Sequence, residues 1–279
     1  MRFTKMHGAG NDYVYIDARD RDLDWPALSV AISDRHKGIG SDGIILLRSS
    51  SKAHTRMTMF NADGSEGQMC GNGIRCLVRY AQDQGAVPAD TSPVTVETAS
   101  GVLDVVPLID GGKLVRARVR MGEPGLRPEE IPVNAPGQER VIDYPLEVDG
   151  HKFNITCVSM GNPHAVAFID ERVDDVPLHE IGPLVEYHPM FSQRVNFEIV
   201  NVLDSTRIKA RVWERGSGLT MACGTGACAI VVAAHLHNYV DDEVTVELPG
   251  GELSVTWPGQ GDVFLEGPVE EVFEGEWPD

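Results

Sequence analysis

The tightest constraint on this chain is that it resembles itself. Residues 94–106 read V-T-V-E-T-A-S-G-V-L-D-V-V, and residues 244–257 read V-T-V-E-L-P-G-G-E-L-S-V-T-W. Each alternates β-forming residues, breaks at a glycine-bearing turn and alternates again, the pattern of a β-hairpin. Upstream of each stands Cys-Gly-x-Gly and an apolar run. Cys70-Gly71-Asn72-Gly73 is followed by Ile74, Leu77, Val78 and Ala81 at helical spacing. Cys223-Gly224-Thr225-Gly226 is followed by residues 227–236, apolar almost all round, as in a helix buried on every side. Earlier still, Gly10-Asn11 leads into Y-V-Y-I-D, and Gly161-Asn162-Pro163-His164 leads into A-V-A-F-I-D. Asn61 stands nine residues before Cys70, and Glu214 nine before Cys223.

Four correspondences in one order imply a duplicated fold with lobes of roughly 1–120 and 121–267. The Pro/Gly-bearing stretch Gly122-Glu123-Pro124-Gly125 has the composition of a boundary. Strands dominate each half, with one prominent helix after each cysteine motif. The expectation is an α+β protein of two pseudo-symmetric domains. The G-x-G fragments lack the third glycine and the βαβ setting of a dinucleotide fold.

Composition narrows the partners. Twenty-four basic residues against forty-two acidic ones give a net charge of −18, which disfavours nucleic acid and anionic membrane. No apolar run is long enough to span a bilayer, and the first residues lack a signal-peptide core, so a cytoplasmic protein is expected. The five cysteines are odd in number and show no C-x2-C pair, which argues against a disulfide framework and against zinc. Cys76, Cys157 and Cys228 read as small core hydrophobes.

Cys70 and Cys223 read differently. At a helix start, the dipole and the unpaired N–H groups are expected to lower a thiol pKa from about 8.5. The same N–H groups bind carboxylates. Two such cysteines related by a repeat are expected to face one substrate carbon from opposite sides. One thiolate would remove an α-hydrogen while the opposite thiol returns a proton. Backbone donors at Gly71, Asn72, Gly224 and Thr225 would stabilise the charge spreading into the adjoining carboxylate, so no cofactor or metal is required.

At these residues the sequence resembles the diaminopimelate epimerase family. The matching stretches are H-G-A-G-N-D at 7–12, F-N-A-D-G-S at 60–65, M-C-G-N-G-x-R-C at 69–76, M-G-N-P-H at 160–164, V-N-F at 195–197, W-E-R-G at 213–216 and A-C-G-T-G-A at 222–227. The resemblance implies interconversion of LL- and meso-diaminopimelate in lysine and peptidoglycan precursor synthesis. It also implies a homodimer, and two lobes that are each a barrel-like mixed sheet around a central helix. A C-terminal strand within 268–279 would cross back to the first lobe. Carried over by motif, Cys70 and Cys223 are the acid/base pair, and His164 and Glu214 tune their protonation. Gly71, Asn72, Gly224 and Thr225 hold the reacting carboxylate. Asn11, Asn61, Asn162, Asn196, Glu214 and Arg215 contact the substrate, Arg215 as a guanidinium suited to a carboxylate. Gly43 departs from the family, where Gln is common, and removes one side-chain contact.

Two rival readings compete with this one. Proline or hydroxyproline racemases share the architecture, but their motifs typically read C-G-H-G and D-R-S-P-C-G-T-G, unlike those here. A cysteine hydrolase or transferase would use one thiolate with His164 and would exchange no substrate α-hydrogen.

Overall fold

The computed structural model describes residues 1–67 and 69–278. The chain divides into two compact units, one of residues 1–120 with 266–279 and one of residues 121–265.

In the first unit the order is β1 (Arg2–Gly8), β2 (Asn11–Asp17), α1 (Trp25–Ser33), β3 (Gly43–Arg48), β4 (Thr55–Asn61), the short β5 (Glu66–Gly67), α2 (Gly71–Asp83), β6 (Val94–Thr98), β7 (Gly101–Asp110) and β8 (Lys113–Gly122). β1 and β2 are antiparallel, β2 and β3 parallel, β3 and β4 antiparallel, and β4 and β6 parallel. The hairpin read at 94–106 is β6 against β7, with Thr98 opposite Gly101.

The second unit repeats the order from β1 to β7, preceded by one extra strand. It has β9 (Tyr144–Val148), β10 (His151–Ser159), β11 (Pro163–Phe168), α3 (Leu178–Glu186), β12 (Asn196–Asp204), β13 (Arg207–Glu214), the short β14 (Gly218–Leu219), α4 (Gly224–Leu236), β15 (Glu243–Leu248) and β16 (Gly251–Thr256). β11 and β12 are parallel, β12 and β13 antiparallel, and β13 and β15 parallel. Two further strands close the chain, β17 (Val263–Pro268) and β18 (Glu270–Glu276). β18 pairs antiparallel with β1, placing Arg2 opposite Glu276.

The expected architecture is what each unit has: a mixed sheet wrapped round one helix. α2 packs against β1, β2, β3, β4, β6 and β7, and α4 against β10, β11, β12, β15 and β16. Enclosure explains the composition of α4, where residues 227–234 are all buried. Removing a Val or Ile side chain of that run from water contributes about 1.5–3 kcal/mol.

Two helices are additions to the sequence reading. α1 and α3 connect parallel neighbours, β2 to β3 and β11 to β12, and parallel strands need such a crossover. Both helices are only nine residues long; α1 has Pro26 in its first turn, and α3 carries Pro183 inside. Tertiary contact, not local propensity, makes them helical. No helix among the described residues is long and apolar enough to cross a membrane.

Candidate active site

In the first unit Cys70 is the N-cap of α2, in extended backbone, and its sulfur accepts the Gly73 N–H at 3.3 Å. The phenol of Tyr13 on β2 donates to the same sulfur at 3.6 Å. Asn72, 1% exposed, donates its amide to Asn11 Oδ1, and its own Oδ1 accepts from Arg75 Nη2 at 2.9 Å. Arg75 is fully buried and donates also to the Gly71 carbonyl at 2.9 Å. Burial pulls its guanidinium below the usual range, while the Cys76 and Cys70 sulfurs act to raise it. No carboxylate pairs with Arg75 among the described residues.

Asn11 and Asn61 are set by their neighbours. Asn11 Nδ2 donates to Asp42 at 3.4 Å, and Asp42 also pairs with Arg35 at 2.9 Å. Asn61 closes β4 and donates to Ser65 Oγ at 3.0 Å, while Ser29 of α1 donates to the Asn61 carbonyl at 2.8 Å. Gly43 has a structural reason: a Cβ there would lie 2.1 Å from the Phe60 carbonyl oxygen. A side chain has no room on this backbone.

In the second unit the arrangement recurs with different chemistry. Cys223, 5% exposed, is the extended N-cap of α4, and its sulfur accepts the Gly226 N–H at 3.3 Å. Thr225 Oγ1 lies 3.5 Å from that sulfur and accepts from Asn162 Nδ2 at 3.3 Å. Asn162 Oδ1 is 3.0 Å from His164 Nε2, and His164 Nδ1 is 2.7 Å from Glu198 Oε1. β11 and β12 bring these together in register, His164 opposite Asn196 and Val166 opposite Glu198.

Asn196 spends both ends of its amide on the fold. It donates to the Pro163 carbonyl at 2.9 Å and accepts the Arg215 N–H at 2.8 Å, fixing the turn after β13. Glu186 of α3 holds that turn from the other side, accepting from Trp213 Nε1 at 2.7 Å and Gly216 N–H at 3.0 Å. Gly182 makes room for Trp213, whose ring would lie 2.4 Å from a Cβ there. Arg215 donates to the Gln193 carbonyl at 2.9 Å. Glu214 accepts from Thr220 Oγ1 at 2.5 Å.

At Cys223 the expected lowering of the thiol pKa is not what the surroundings produce. Burial pushes the thiol well up, and the Glu214 carboxylate adds to it. The Thr225 and Gly226 hydrogen bonds act the other way, and Glu198 raises it further. A helix terminus provides only a partial charge, which here is outweighed by desolvation and two carboxylates. Among the remaining cysteines, Cys76, Cys157 and Cys228 are buried, and burial raises the Cys76 thiol to about 11.

Three residues escaped the sequence reading: Tyr13, Arg75 and Glu198. Arg75 stands inside the quoted M-C-G-N-G-x-R-C stretch, and a charged residue in a buried helix was a usable signal. Glu198 lies two residues beyond Asn196, on the same face of a strand. Tyr13 carried no signal apart from its place in an apolar strand. Among the described residues no group of three or more His, Cys, Asp or Glu side chains could hold a metal ion.

The family described as diaminopimelate epimerase matches residues 3–126 and 156–272. The chain is 48% identical over 278 residues to the diaminopimelate epimerase of Acetivibrio thermocellus, covering 99% of this chain and 98% of that one. It is also 48% identical over 278 residues to the diaminopimelate epimerase of Methanococcus maripaludis, covering 99% of each. Among solved structures it is similar to a phenazine biosynthesis protein of the PhzF family from Bacillus anthracis, with TM-score 0.72 and 16% identity, covering 100% and 99% of the two chains. A hydroxyproline epimerase from Agrobacterium vitis aligns with TM-score 0.69 and 14% identity, covering 99% and 91%. At these identities the likeness to the solved structures is one of fold.

Proposed function

This chain belongs to the diaminopimelate epimerase family, and from that premise we propose that its two cysteine-capped helix starts epimerise diaminopimelate without a cofactor. The enzyme is an isomerase whose substrate is a small molecule, and the reaction exchanges the LL and meso forms. Its place is in lysine and peptidoglycan precursor synthesis.

Inversion at an α-carbon needs a proton removed from one face and another delivered to the opposite face. In this reading Cys70 and Cys223 are those two groups, one working as thiolate and the other as thiol, and they exchange roles when the reaction reverses. The negative charge that develops is shared with the substrate's own carboxylate. The backbone N–H groups of Gly71, Asn72, Gly224 and Thr225, at the first turns of α2 and α4, are the donors for it. Asn11, Asn61, Asn162, Asn196 and Arg215 recognise the distal amino-acid end. Glu214 and His164 set the charge around Cys223.

The observation that carries this reading is the identical cap made twice. Each cysteine sits in extended backbone at the N-cap, and each sulfur accepts an N–H from the third residue on at 3.3 Å. A single reactive cysteine would not call for a second copy. The two proposed lobes, residues 1–120 with 268–279 and residues 121–267, differ by two residues from the compact units and carry one cap each. We assign the protein to the cytoplasm as a homodimer, without nucleic-acid or membrane partners.

The test is incubation with pure LL-diaminopimelate in deuterated water. Inversion accompanied by solvent deuterium at the α-carbon is expected. Turnover without isotope uptake, or none at all, overturns the reading.

A further inference from the structure

The most deeply placed charged group in the second unit is Glu198, 0% exposed, with Oε2 lacking any hydrogen-bond partner among the described residues. Its Oε1 touches His164, which is also 0% exposed. From there a continuous chain of contacts runs outward: His164 to Asn162, Asn162 to Thr225, and Thr225 to the Cys223 sulfur. A second link is steric. A Cβ on Gly226 would lie 3.1 Å from Glu198 Oε1 and 3.3 Å from Cys223 Sγ, so carboxyl and sulfur crowd the same α-carbon.

We propose that Glu198 is a positioning residue for the reaction at Cys223: it keeps a proton on Nε2 of His164, and through Asn162 and Thr225 that proton turns a hydroxyl hydrogen toward the sulfur. This rests on Cys223 being an acid/base group of the epimerase.

The donors and acceptors fix the polarity. Asn162 Oδ1 can only accept, so His164 Nε2 carries hydrogen. Asn162 Nδ2 can only donate, so Thr225 Oγ1 receives that bond, and its own hydrogen is available to the sulfur. With Nε2 already protonated, the 2.7 Å contact between Nδ1 and Oε1 needs one more proton between them. The buried pair is then neutral overall, either as imidazolium with carboxylate or as imidazole with carboxylic acid. The opposite polarity strips Nε2 and leaves Glu198 as a buried carboxylate with one unpaired oxygen, which costs more. The raised carboxyl of Glu198, caused by burial, accords with retention of the proton. A hydroxyl aimed at sulfur stabilises thiolate over thiol.

The ionisable groups acting on this sulfur are Glu214 on β13 and Glu198 on β12, and His164 on β11 contacts the second. They give the alternatives opposite signs. A bare Glu198 carboxylate would oppose the thiolate, so removing it would make the thiolate form at lower pH. In the proposed relay, Glu198→Leu frees the imidazole to carry its hydrogen on Nδ1. Asn162 then flips, and the Thr225 hydroxyl turns away. Glu198→Gln retains a donor to Nδ1 and keeps the polarity.

The experiment is an ultraviolet thiolate titration of Cys223, taken as the difference between each protein and its Cys223→Ser counterpart. It needs no turnover, so it fails or succeeds separately from the isotope test of epimerisation. The expected result is a midpoint raised by about one pH unit, a tenfold change in thiolate fraction, in Glu198→Leu, with Glu198→Gln unchanged. Thr225→Val should give the same rise, and adding Glu198→Leu to it should add nothing, because both break one chain. Should Glu198→Leu not fold, the Thr225→Val and Glu198→Gln pair carries the same reading. Midpoints that fall in both Glu198 variants, midpoints unchanged in both, or an unchanged Thr225→Val would each overturn the proposal.

Discussion

At the start of α2 the Cys70 sulfur receives hydrogen bonds from a backbone N–H and the Tyr13 phenol, and a buried guanidinium, Arg75, braces the Asn72 side chain and the Gly71 carbonyl behind it. At the start of α4 the Cys223 sulfur receives the matching N–H, but its surroundings are Thr225, Glu214 and the buried pair of Glu198 and His164. The backbone is the same and the sign of the nearby charge is opposite. Duplication provided two identical caps, and divergence of side chains made them unequal. An inversion catalyst benefits from that inequality, since in the resting enzyme one sulfur must be ready to accept a proton and the other to donate one.

The comparison breaks outright if one cysteine suffices. Cys70→Ser and Cys223→Ser should each lower epimerisation about a thousandfold or more, in both directions, measured by loss of either stereoisomer. A variant retaining ordinary turnover would reduce the matched caps to a structural repeat. Next in size are the last glycines of the two Cys-Gly-x-Gly motifs. A Cβ on Gly73 would meet the flexible tip of Ile45 at 2.5 Å, whereas one on Gly226 meets Glu198 and the Cys223 side chain. Gly73→Ala is expected to cost about 1–3 kcal/mol of stability as core overpacking, with a modest loss of kcat. Gly226→Ala should reduce kcat about 10- to 100-fold by displacing the sulfur, because geometry errors near 1 Å cost on that scale. Equal kinetic effects would remove the distinction between the two ends.

A smaller pair of changes tests the opposite signs directly. Neutralising Glu214 takes away a charge that opposes thiolate, so Glu214→Gln should lower the pH at which Cys223 ionises. Neutralising Arg75 takes away a charge that favours thiolate, so Arg75→Gln should raise the pH at which activity appears. Each shift is expected to be about one unit, read from thiolate absorbance and from the pH profile of kcat/KM respectively. Shifts in the same direction would contradict the inequality.

Much of this was legible in the sequence because duplication amplifies weak signals. Two hairpins, two cysteine motifs and two helices were readable where one copy of each would have been ambiguous. α1 and α3 were not, since each is only nine residues long, α3 is interrupted by Pro183, and both are made helical by their crossover role. These hidden helices brace residues the sequence did pick out: Ser29 of α1 holds Asn61, and Glu186 of α3 holds the turn bearing Glu214 and Arg215. Arg75 and Glu198 escaped for another reason. Their effect depends on complete burial beside a particular sulfur, and burial of a charged residue is decided by the packing of distant strands.

The smallest expected effect concerns stability, and it separates the acid Glu198 from an amide of the same shape. Burial raises the Glu198 carboxyl above its ordinary range, against the opposing pull of His164 and with a further push from Glu214. A carboxyl raised on folding contributes its full stability below its unfolded pKa, about 4.3, and loses it as pH climbs through the folded value. Glu198→Gln keeps the hydrogen bond and has no proton to lose. The thermal midpoint of Glu198→Gln should therefore match that of the wild type below about pH 4.3 and exceed it increasingly as pH rises toward the folded value. For a domain of this size each kcal/mol corresponds to about 2–4 °C, and the gain should not exceed that. Among the described residues no fully buried His–carboxylate pair stands behind the Cys70 cap, so Arg75 variants should show no counterpart of this gain at mildly acidic pH. A like gain for Arg75, or a flat difference for Glu198, would show that the two caps are not distinguished by a proton held in the protein.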